Sequence, residues 1–183
     1  MKIIVIYSSQ TGNTESVAQA IYEEFKEHAT IIPMDQAKDY KLENYDYVFA
    51  GFWVDKGYPN EETMDFLKSI RSCNIGLFAT LGAYPYSMQA SRVFYRAGEV
   101  IDESNRVIGT FICQGGISKE KLDEINARPP SHPGYPTPIQ TLARNIGQQH
   151  PNEEDFTAAR KLFRKIVSLS LIHISEPTRR YAI

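Results

Sequence analysis

Five short apolar runs, separated by segments with helical periodicity, constrain the fold of this chain more than any other feature. The first run, Lys2–Tyr7, is continuous and rich in β-branched residues, which is typical of a strand buried on both faces. The other runs are Ala29–Pro33, Asp46–Phe52, Ile75–Leu81 and Arg106–Cys113. Strands that alternate with helices predict βαβ units with right-handed crossovers, and therefore a parallel sheet covered on both faces.

Apolar residues at helical spacing predict the helices between and after these runs. We expect one helix that ends near Glu27, followed by helices at about Met64–Ile70, Met88–Val100, Ser118–Asn126, Ile139–Ile146 and Asn152–Val167. Asn152 is a suitable N-cap for the last of these. Two segments are predicted to be loops, namely the polar segment Asp55–Asn60 and the proline-rich segment Arg128–Pro138.

Composition narrows the class of protein. The chain has 183 residues, of which 42% are hydrophobic and 23% are charged, so one globular domain is expected rather than a disordered or collagen-like chain. No apolar run approaches the ~20 residues that a membrane span needs, and the N-terminus does not resemble a signal peptide. The formal net charge of −2 gives no basic surface for nucleic acid. Cys73 and Cys113 lie in or beside apolar runs, and we expect them to be reduced core thiols in a cytoplasmic protein.

The C-terminal residues require separate treatment. Residues from Leu169 to Arg179 can be back-translated, codon by codon, into a DNA adapter used in transposase-based sequencing libraries. We therefore expect residues 1–167 to form the domain and residues 168–183 to be a non-native tail. Glu176, Arg179 and Arg180 fall in this tail, so the remaining chain carries a formal net charge of −3.

The loop after the first run has the most informative composition. In open parallel sheets a ligand binds beyond the carboxyl ends of the strands, where this loop is expected to lie. It contains four hydroxyl side chains and no lysine, and consists of Ser8, Ser9, Gln10, Thr11, Gly12, Asn13 and Thr14. Neutral donors at a helix N-terminus suit a phosphate monoester, and the loop matches neither Walker A nor the dinucleotide fingerprint. The alternative is an ordinary polar helix cap.

This loop resembles the phosphate loop of the flavodoxin family, (S/T)-x-T-G-x-T after the first strand. The resemblance covers about residues 1–167. It implies a flavodoxin-like three-layer α/β/α sandwich with a five-stranded parallel sheet in the order 2-1-3-4-5. It also implies FMN as the cofactor.

Two further loops are similar to those that hold the flavin ring in this family. The segment Gly51–Asp55 carries Trp53, which the resemblance places on one face of the flavin. The segment Gly82–Tyr86 carries Tyr84, which it places on the opposite face, with Tyr86 as the second choice. The cofactor contacts implied in these two regions are Phe52, Trp53, Val54, Asp55, Thr80, Leu81, Gly82, Ala83, Tyr84 and Tyr86.

Two departures from the family pattern change what we expect. Classical flavodoxins favour Gly or Asn after the stacking Trp, whereas this chain has Val54, for which a left-handed backbone is unfavourable. We therefore expect weaker stabilisation of the one-electron-reduced flavin, unless the chain adopts the left-handed conformation within residues 55–57 instead. The net charge is also mild for this family, so long-range steering towards a partner should be modest.

The resemblance implies a monomeric electron carrier that links a reductase to a partner enzyme. The flavin supplies the chemistry, so no catalytic residue and no metal are expected, and His132 and His150 are interpreted as loop or capping residues. The sequence segments GFWVD, TLGAYP and HPNEED are similar to segments of flavodoxin-like proteins of anaerobic bacteria, some of which are described as partners of tetrapyrrole-reducing enzymes. The alternatives are an NAD(P)H-dependent FMN or quinone reductase on the same fold, and a module that has lost FMN.

Overall fold

The computed structural model describes residues 1–175. Its strands are β1 (Ile3–Tyr7), β2 (Ala29–Pro33), β3 (Tyr47–Asp55), β4 (Tyr58–Pro59), β5 (Asn74–Leu81) and β6 (Arg106–Gln114). Its helices are α1 (Asn13–Glu24), α2 (Glu61–Ser69), α3 (Met88–Gly98), α4 (Lys119–Asn126), α5 (Pro138–Gly147) and α6 (Glu153–Ser175). Two 3-10 helices, Met34–Asp39 and Leu42–Asn44, connect β2 to β3.

The five long strands form one parallel sheet in the order β2-β1-β3-β5-β6. Numbered along the chain without the short β4, this is the order 2-1-3-4-5, and the prediction is confirmed. β1 lies between β2 and β3, with Ile4 opposite both Thr30 and Val48. The strand order reverses between β1 and β3, which places a crevice at their carboxyl ends.

Two apolar layers cover the sheet, because successive side chains of a buried strand point to opposite faces. On one face Ile4 and Ile6 pack with Leu67 of α2 and Val93 of α3. The opposite face packs against α1 and α6, and its residues include Ile3, Val5, Val17, Phe49 and Phe163. The three-layer α/β/α arrangement is therefore also confirmed.

The predicted loop at Asp55–Asn60 is wrong in part. β3 continues three residues beyond Phe52, and β4 pairs with its end in antiparallel fashion, Val54 opposite Pro59 and Asp55 opposite Tyr58. The two residues between the paired positions both have positive φ, so the connection has the backbone pattern of a type I′ hairpin. A six-stranded sheet with one short antiparallel strand replaces the predicted five-stranded one.

Helix boundaries differ from the prediction at several places, including the start of α2 at Glu61 rather than Met64 and the end of α3 at Gly98 rather than Val100. α1 ends at Glu24 rather than near Glu27, and α6 continues beyond Val167 to Ser175. The predicted cap is present, since Asn152 Oδ1 accepts a hydrogen bond from the Glu154 amide at 3.0 Å. Residues 168–175, part of the predicted tail, are thus helical, whereas residues 176–183 lie outside the described residues. Within residues 1–175 no helix is long and apolar enough to cross a membrane.

Candidate functional site

A cleft of about 480 Å³ lies at the carboxyl ends of the parallel strands. Four loops build it, one after each of β1, β3, β5 and β6. Its lining residues are Gln10, Thr11, Asn13, Trp53, Val54, Asp55, Thr80, Leu81, Gly82, Gly115, Gly116, Ile117, Ser118 and Lys121. The volume falls in the range of small-molecule and cofactor sites, and the position is the one expected for a doubly wound sheet.

The structure brings about half of the predicted site residues to this cleft. The predicted residues that line it are Gln10, Thr11, Asn13, Trp53, Val54, Asp55, Thr80, Leu81 and Gly82. The predicted residues that are not among its lining residues are Ser8, Ser9, Gly12, Thr14, Phe52, Ala83, Tyr84 and Tyr86. Their contacts with a cofactor stay predictions, and the paragraphs below describe what each group does in the protein alone.

The loop after β1 presents one buried hydroxyl without a partner. Gly12 has a φ of 85° and is the N-cap of α1, so the chain turns there in a conformation that favours glycine. Ser9 Oγ is buried and has no hydrogen-bond partner among the described residues. A buried hydroxyl at a helix N-terminus that lacks an acceptor is unfavourable alone and fits an incoming phosphate oxygen.

Ser8 is engaged elsewhere. Its hydroxyl donates to a carboxylate oxygen of Glu62 at 2.5 Å and accepts from the Asn60 amide at 2.9 Å. Asn60 also accepts from the Thr63 hydroxyl at 2.8 Å, so these side chains form one network at the start of α2. The network joins the loop after β1 to the loop after β3. The sequence gives no local signal for it, because the contact spans more than fifty residues.

Two other side-chain contacts join the loops of the cleft. The hydroxyls of Thr14 and Thr80 lie 2.8 Å apart, and both residues are buried. The Asn13 side-chain amide donates to the Gly116 carbonyl at 2.7 Å and to the Thr11 hydroxyl at 3.0 Å. A Cβ at Gly115 would lie 2.7 Å from that Asn13 amide nitrogen, so glycine is required for this close approach. The loops after β1, β5 and β6 are therefore held together without a ligand.

The hairpin of β3 and β4 forms another wall of the cleft. Trp53, Val54 and Asp55 line the cleft from the end of β3. Val54 is extended and paired with Pro59, so its backbone is not left-handed. The left-handed residues are Lys56 and Gly57, with φ of 48° and 83°, in the segment that the sequence analysis named as the alternative place.

Two of the predicted aromatic contacts have side chains outside the lining of the cleft. Phe52 is fully buried in the core, where its ring meets that of Phe94 at 6.1 Å, because alternation along β3 points it away from Trp53. Tyr84 is 55% exposed and packs edge-on against Tyr86, with ring centroids 5.6 Å apart. The face of the cleft predicted to lie under Tyr84 is therefore not covered by it here.

The segment after β6 was missed by the sequence analysis, although it supplies five lining residues. Four lie in the loop, namely Gly115, Gly116, Ile117 and Ser118, and Lys121 lies in the first turn of α4. The available signal was the glycine pair two residues after the end of the fifth predicted strand. Ser118 Oγ caps α4 by accepting from the Lys121 amide.

Lys121 brings a cationic side chain to the cleft and pairs with Glu124 at 2.6 Å. The hydrogen bonds from Lys121 and Arg128 lower the pKa of Glu124 to about 2.

Both cysteines are buried and free, as predicted, and burial raises the pKa of each thiol. His150 Nδ1 lies 2.6 Å from a carboxylate oxygen of Asp155 at the start of α6. Within residues 1–175 no three His, Cys, Asp or Glu side chains converge on a possible metal site.

Comparisons with known proteins agree with this architecture. The sequence model described as Flavodoxin_3, Flavodoxin domain, matches residues 4–164. The flavodoxin-like domain-containing protein BilS of Clostridioides difficile (strain CD3) is 34% identical over 164 residues, which cover 87% of this chain and 92% of that protein. BilS of Clostridium symbiosum (strain WAL-14163) is 25% identical over 148 residues, covering 73% of this chain and 78% of that protein.

A solved structure confirms the fold alone. The Trp repressor binding protein from Bacillus subtilis superposes with a TM-score of 0.52 at 13% identity, covering 79% of this chain and 99% of that chain.

Proposed function

This chain belongs to the flavodoxin-domain family, and we propose that it holds one FMN in the cleft and carries electrons between two partner proteins. The buried, unpartnered hydroxyl of Ser9 carries this proposal. It lies in a loop of neutral donors at the N-terminus of α1, and such a loop suits the terminal phosphate that FMN has and riboflavin lacks. Gln10, Thr11 and Asn13 of this loop line the cleft, and Trp53 supplies an indole to its wall.

Each part of the cleft has a role in this proposal. The loop Ser8–Thr14 binds the phosphate, and Trp53 packs against the isoalloxazine ring, since stacked aromatic pairs gain about 0.5–1.5 kcal/mol beyond area burial. FMN supplies one- and two-electron chemistry when bound. The chain's own residues bind and orient the ring, and no side chain is required as an acid or base.

The proposed partners are a reductase that delivers electrons and an enzyme that accepts them. Support comes from the family and from the exposed Tyr84 and Tyr86, which follow β5 in the segment that supplies Gly82 to the cleft. The formal net charge without the predicted tail is −3, so electrostatic steering of a partner should be weak and its salt dependence shallow.

The test is a pair of ligand titrations followed by flavin fluorescence. Wild-type protein should bind FMN more tightly than riboflavin, and Ser9→Ala should weaken FMN binding about tenfold while riboflavin binding stays unchanged. Ser16→Ala is the matched control, because Ser16 is an exposed residue of α1 whose hydroxyl donates to the Gly12 carbonyl. Failure of the wild-type protein to bind FMN would overturn the proposal.

A second candidate function is an NAD(P)H-dependent FMN or quinone reductase. It is favoured by one observation, namely that Tyr84 is exposed and does not cover the cleft, so a nicotinamide could reach the flavin. In an assay with NADPH, FMN and a quinone but no partner protein, an electron carrier should give no turnover above free FMN. Rapid partner-independent NADPH oxidation would favour the reductase.

A further inference from the structure

The hairpin that forms one wall of the cleft is a weak element by itself. β4 has only two residues, and an isolated two-stranded hairpin is at best marginally stable in water. Its turn places Lys56, which has a Cβ, in the left-handed region with a φ of 48°. Three residues that line the cleft, Trp53, Val54 and Asp55, belong to this hairpin, so its position determines the shape of the wall.

Arg96 of α3 makes two contacts with the hairpin. One guanidinium nitrogen donates a hydrogen bond to the Gly57 carbonyl in the turn. The same guanidinium lies over the ring of Tyr58, with Cζ 3.7 Å from the ring centroid. A planar guanidinium can lie on the ring face and donate from its own edge at once, and a charged donor strengthens the hydrogen bond.

These contacts come from a firmly packed element. Val93 and Ala97 of α3 are fully buried against the core, so the backbone that carries Arg96 is fixed. Tyr58 is 48% exposed. The base of the hairpin is closed by the Asn60 amide, which donates to the Trp53 carbonyl at 3.2 Å. The tip is then held from outside by Arg96.

We propose that Arg96 is a positioning residue for cofactor binding, which holds the β3–β4 hairpin in place so that the cleft is formed before FMN enters. The inference rests on the proposed function, because it takes FMN to be the ligand of the cleft that the hairpin helps to form. A wall that is already ordered loses less conformational freedom on binding, and affinity rises accordingly. Arg96 does not line the cleft, so its effect passes through the hairpin.

The experiment compares Arg96→Gln with Arg92→Gln. Arg92 lies one turn earlier on the same helix and is exposed, so the control makes the same change of charge on the same element. Without FMN, the amides of residues 54–58 should exchange with deuterium at least about tenfold faster in Arg96→Gln than in wild type. FMN binding should be weakened about tenfold in the same variant, and Arg92→Gln should match wild type in both.

Two further variants separate the contacts. Tyr58→Phe keeps the aromatic face and should match wild type, whereas Tyr58→Leu removes it and should give an intermediate loss of FMN affinity. Unchanged exchange in Arg96→Gln would overturn the inference, as would faster exchange with unchanged FMN affinity. If the wild-type protein does not bind FMN, the proposed function fails. The hydrogen exchange of Arg96→Gln then still tests whether Arg96 holds the hairpin: faster exchange than wild type supports this, and unchanged exchange contradicts it.

Discussion

Single residues at the end of β3 determine what the cleft can do with a reduced flavin. Val54 is extended and paired with Pro59, and the left-handed positions are displaced to Lys56 and Gly57. The Gly57 carbonyl already accepts a hydrogen bond from Arg96. This carbonyl is thus engaged, and the backbone that follows Trp53 is fixed in a strand.

From this geometry we predict reduction of the FMN-loaded protein in a single two-electron stage. Val54 is held in an extended strand, and in the alternative segment, where Lys56 and Gly57 are left-handed, the Gly57 carbonyl is already bound by Arg96. The backbone after Trp53 is therefore expected to give the one-electron state little stabilisation. Stepwise photoreduction followed by visible absorption should show yellow passing directly to colourless. Accumulation of a blue species at the midpoint would contradict this prediction.

The buried hydroxyl pair of Thr14 and Thr80 gives a second prediction at this scale. Either Thr14→Val or Thr80→Val leaves the other hydroxyl buried without its partner, and should lower the free energy of unfolding by about 1–3 kcal/mol. The double variant should lose clearly less than the sum, since no unpaired hydroxyl remains. Urea unfolding of wild type, the two single variants and the double variant measures the coupling energy. Strictly additive losses would contradict the prediction.

At the scale of elements, the sheet depends on close approach between β3 and β5. A Cβ at Gly51 would overlap the ring of Phe78, a fully buried residue that meets Phe163 edge-on at 6.1 Å. Glycine at this position therefore lets an aromatic ring lie against the backbone of the neighbouring strand. The requirement is steric, because Gly51 has no positive φ.

Gly51→Ala should therefore destabilise the protein by about 1–3 kcal/mol through overpacking. Gly98→Ala is the control, because nothing lies within 4 Å of a Cβ at the end of α3. That variant should be neutral or up to about 1 kcal/mol more stable, as alanine favours helices. Equal effects of the two substitutions on the denaturant midpoint would show that packing at Gly51 is not the cause.

The elements also show how far the sequence alone could lead. Long strands were predictable because a parallel sheet buried on both faces requires continuous β-branched runs, as in Ile3–Tyr7. The short strand β4 was not predictable, because two residues carry no periodicity and its turn is Lys56-Gly57 rather than the common Asn-Gly pair. Three loops of the cleft stood out through their side chains. The fourth begins with Gly115 and Gly116, a glycine pair that marks a turn in the sequence but carries no side chain to indicate a ligand.

For the whole molecule, the packing of α6 indicates where the folded unit ends. Its buried residues include Phe163, Ile166 and Val167, whereas Leu169 is 46% exposed. The family match ends at residue 164. The helix continues to Ser175.

A chain that ends at Ser168 should therefore keep its fold. The expected change in the free energy of unfolding is within about 0.5 kcal/mol, because Leu169, the last residue of α6 whose burial is described, is exposed. FMN affinity should be unchanged, since the last lining residue is Lys121. Denaturant unfolding and a fluorescence titration measure both quantities. A loss above about 1 kcal/mol would contradict the view that residues 168–183 lie outside the domain.

The distribution of the cleft along the chain has a consequence for biosynthesis. Its walls come from residues between Gln10 and Lys121, and β6, at the edge of the sheet, precedes the last of them. A nascent chain that has left the ribosome only as far as Leu81 lacks the loop after β6, and contacts so distant in sequence form late because loop closure costs entropy. Cofactor uptake would then mark the end of folding rather than guide it, and newly made protein would remain colourless until its last crossover is in place.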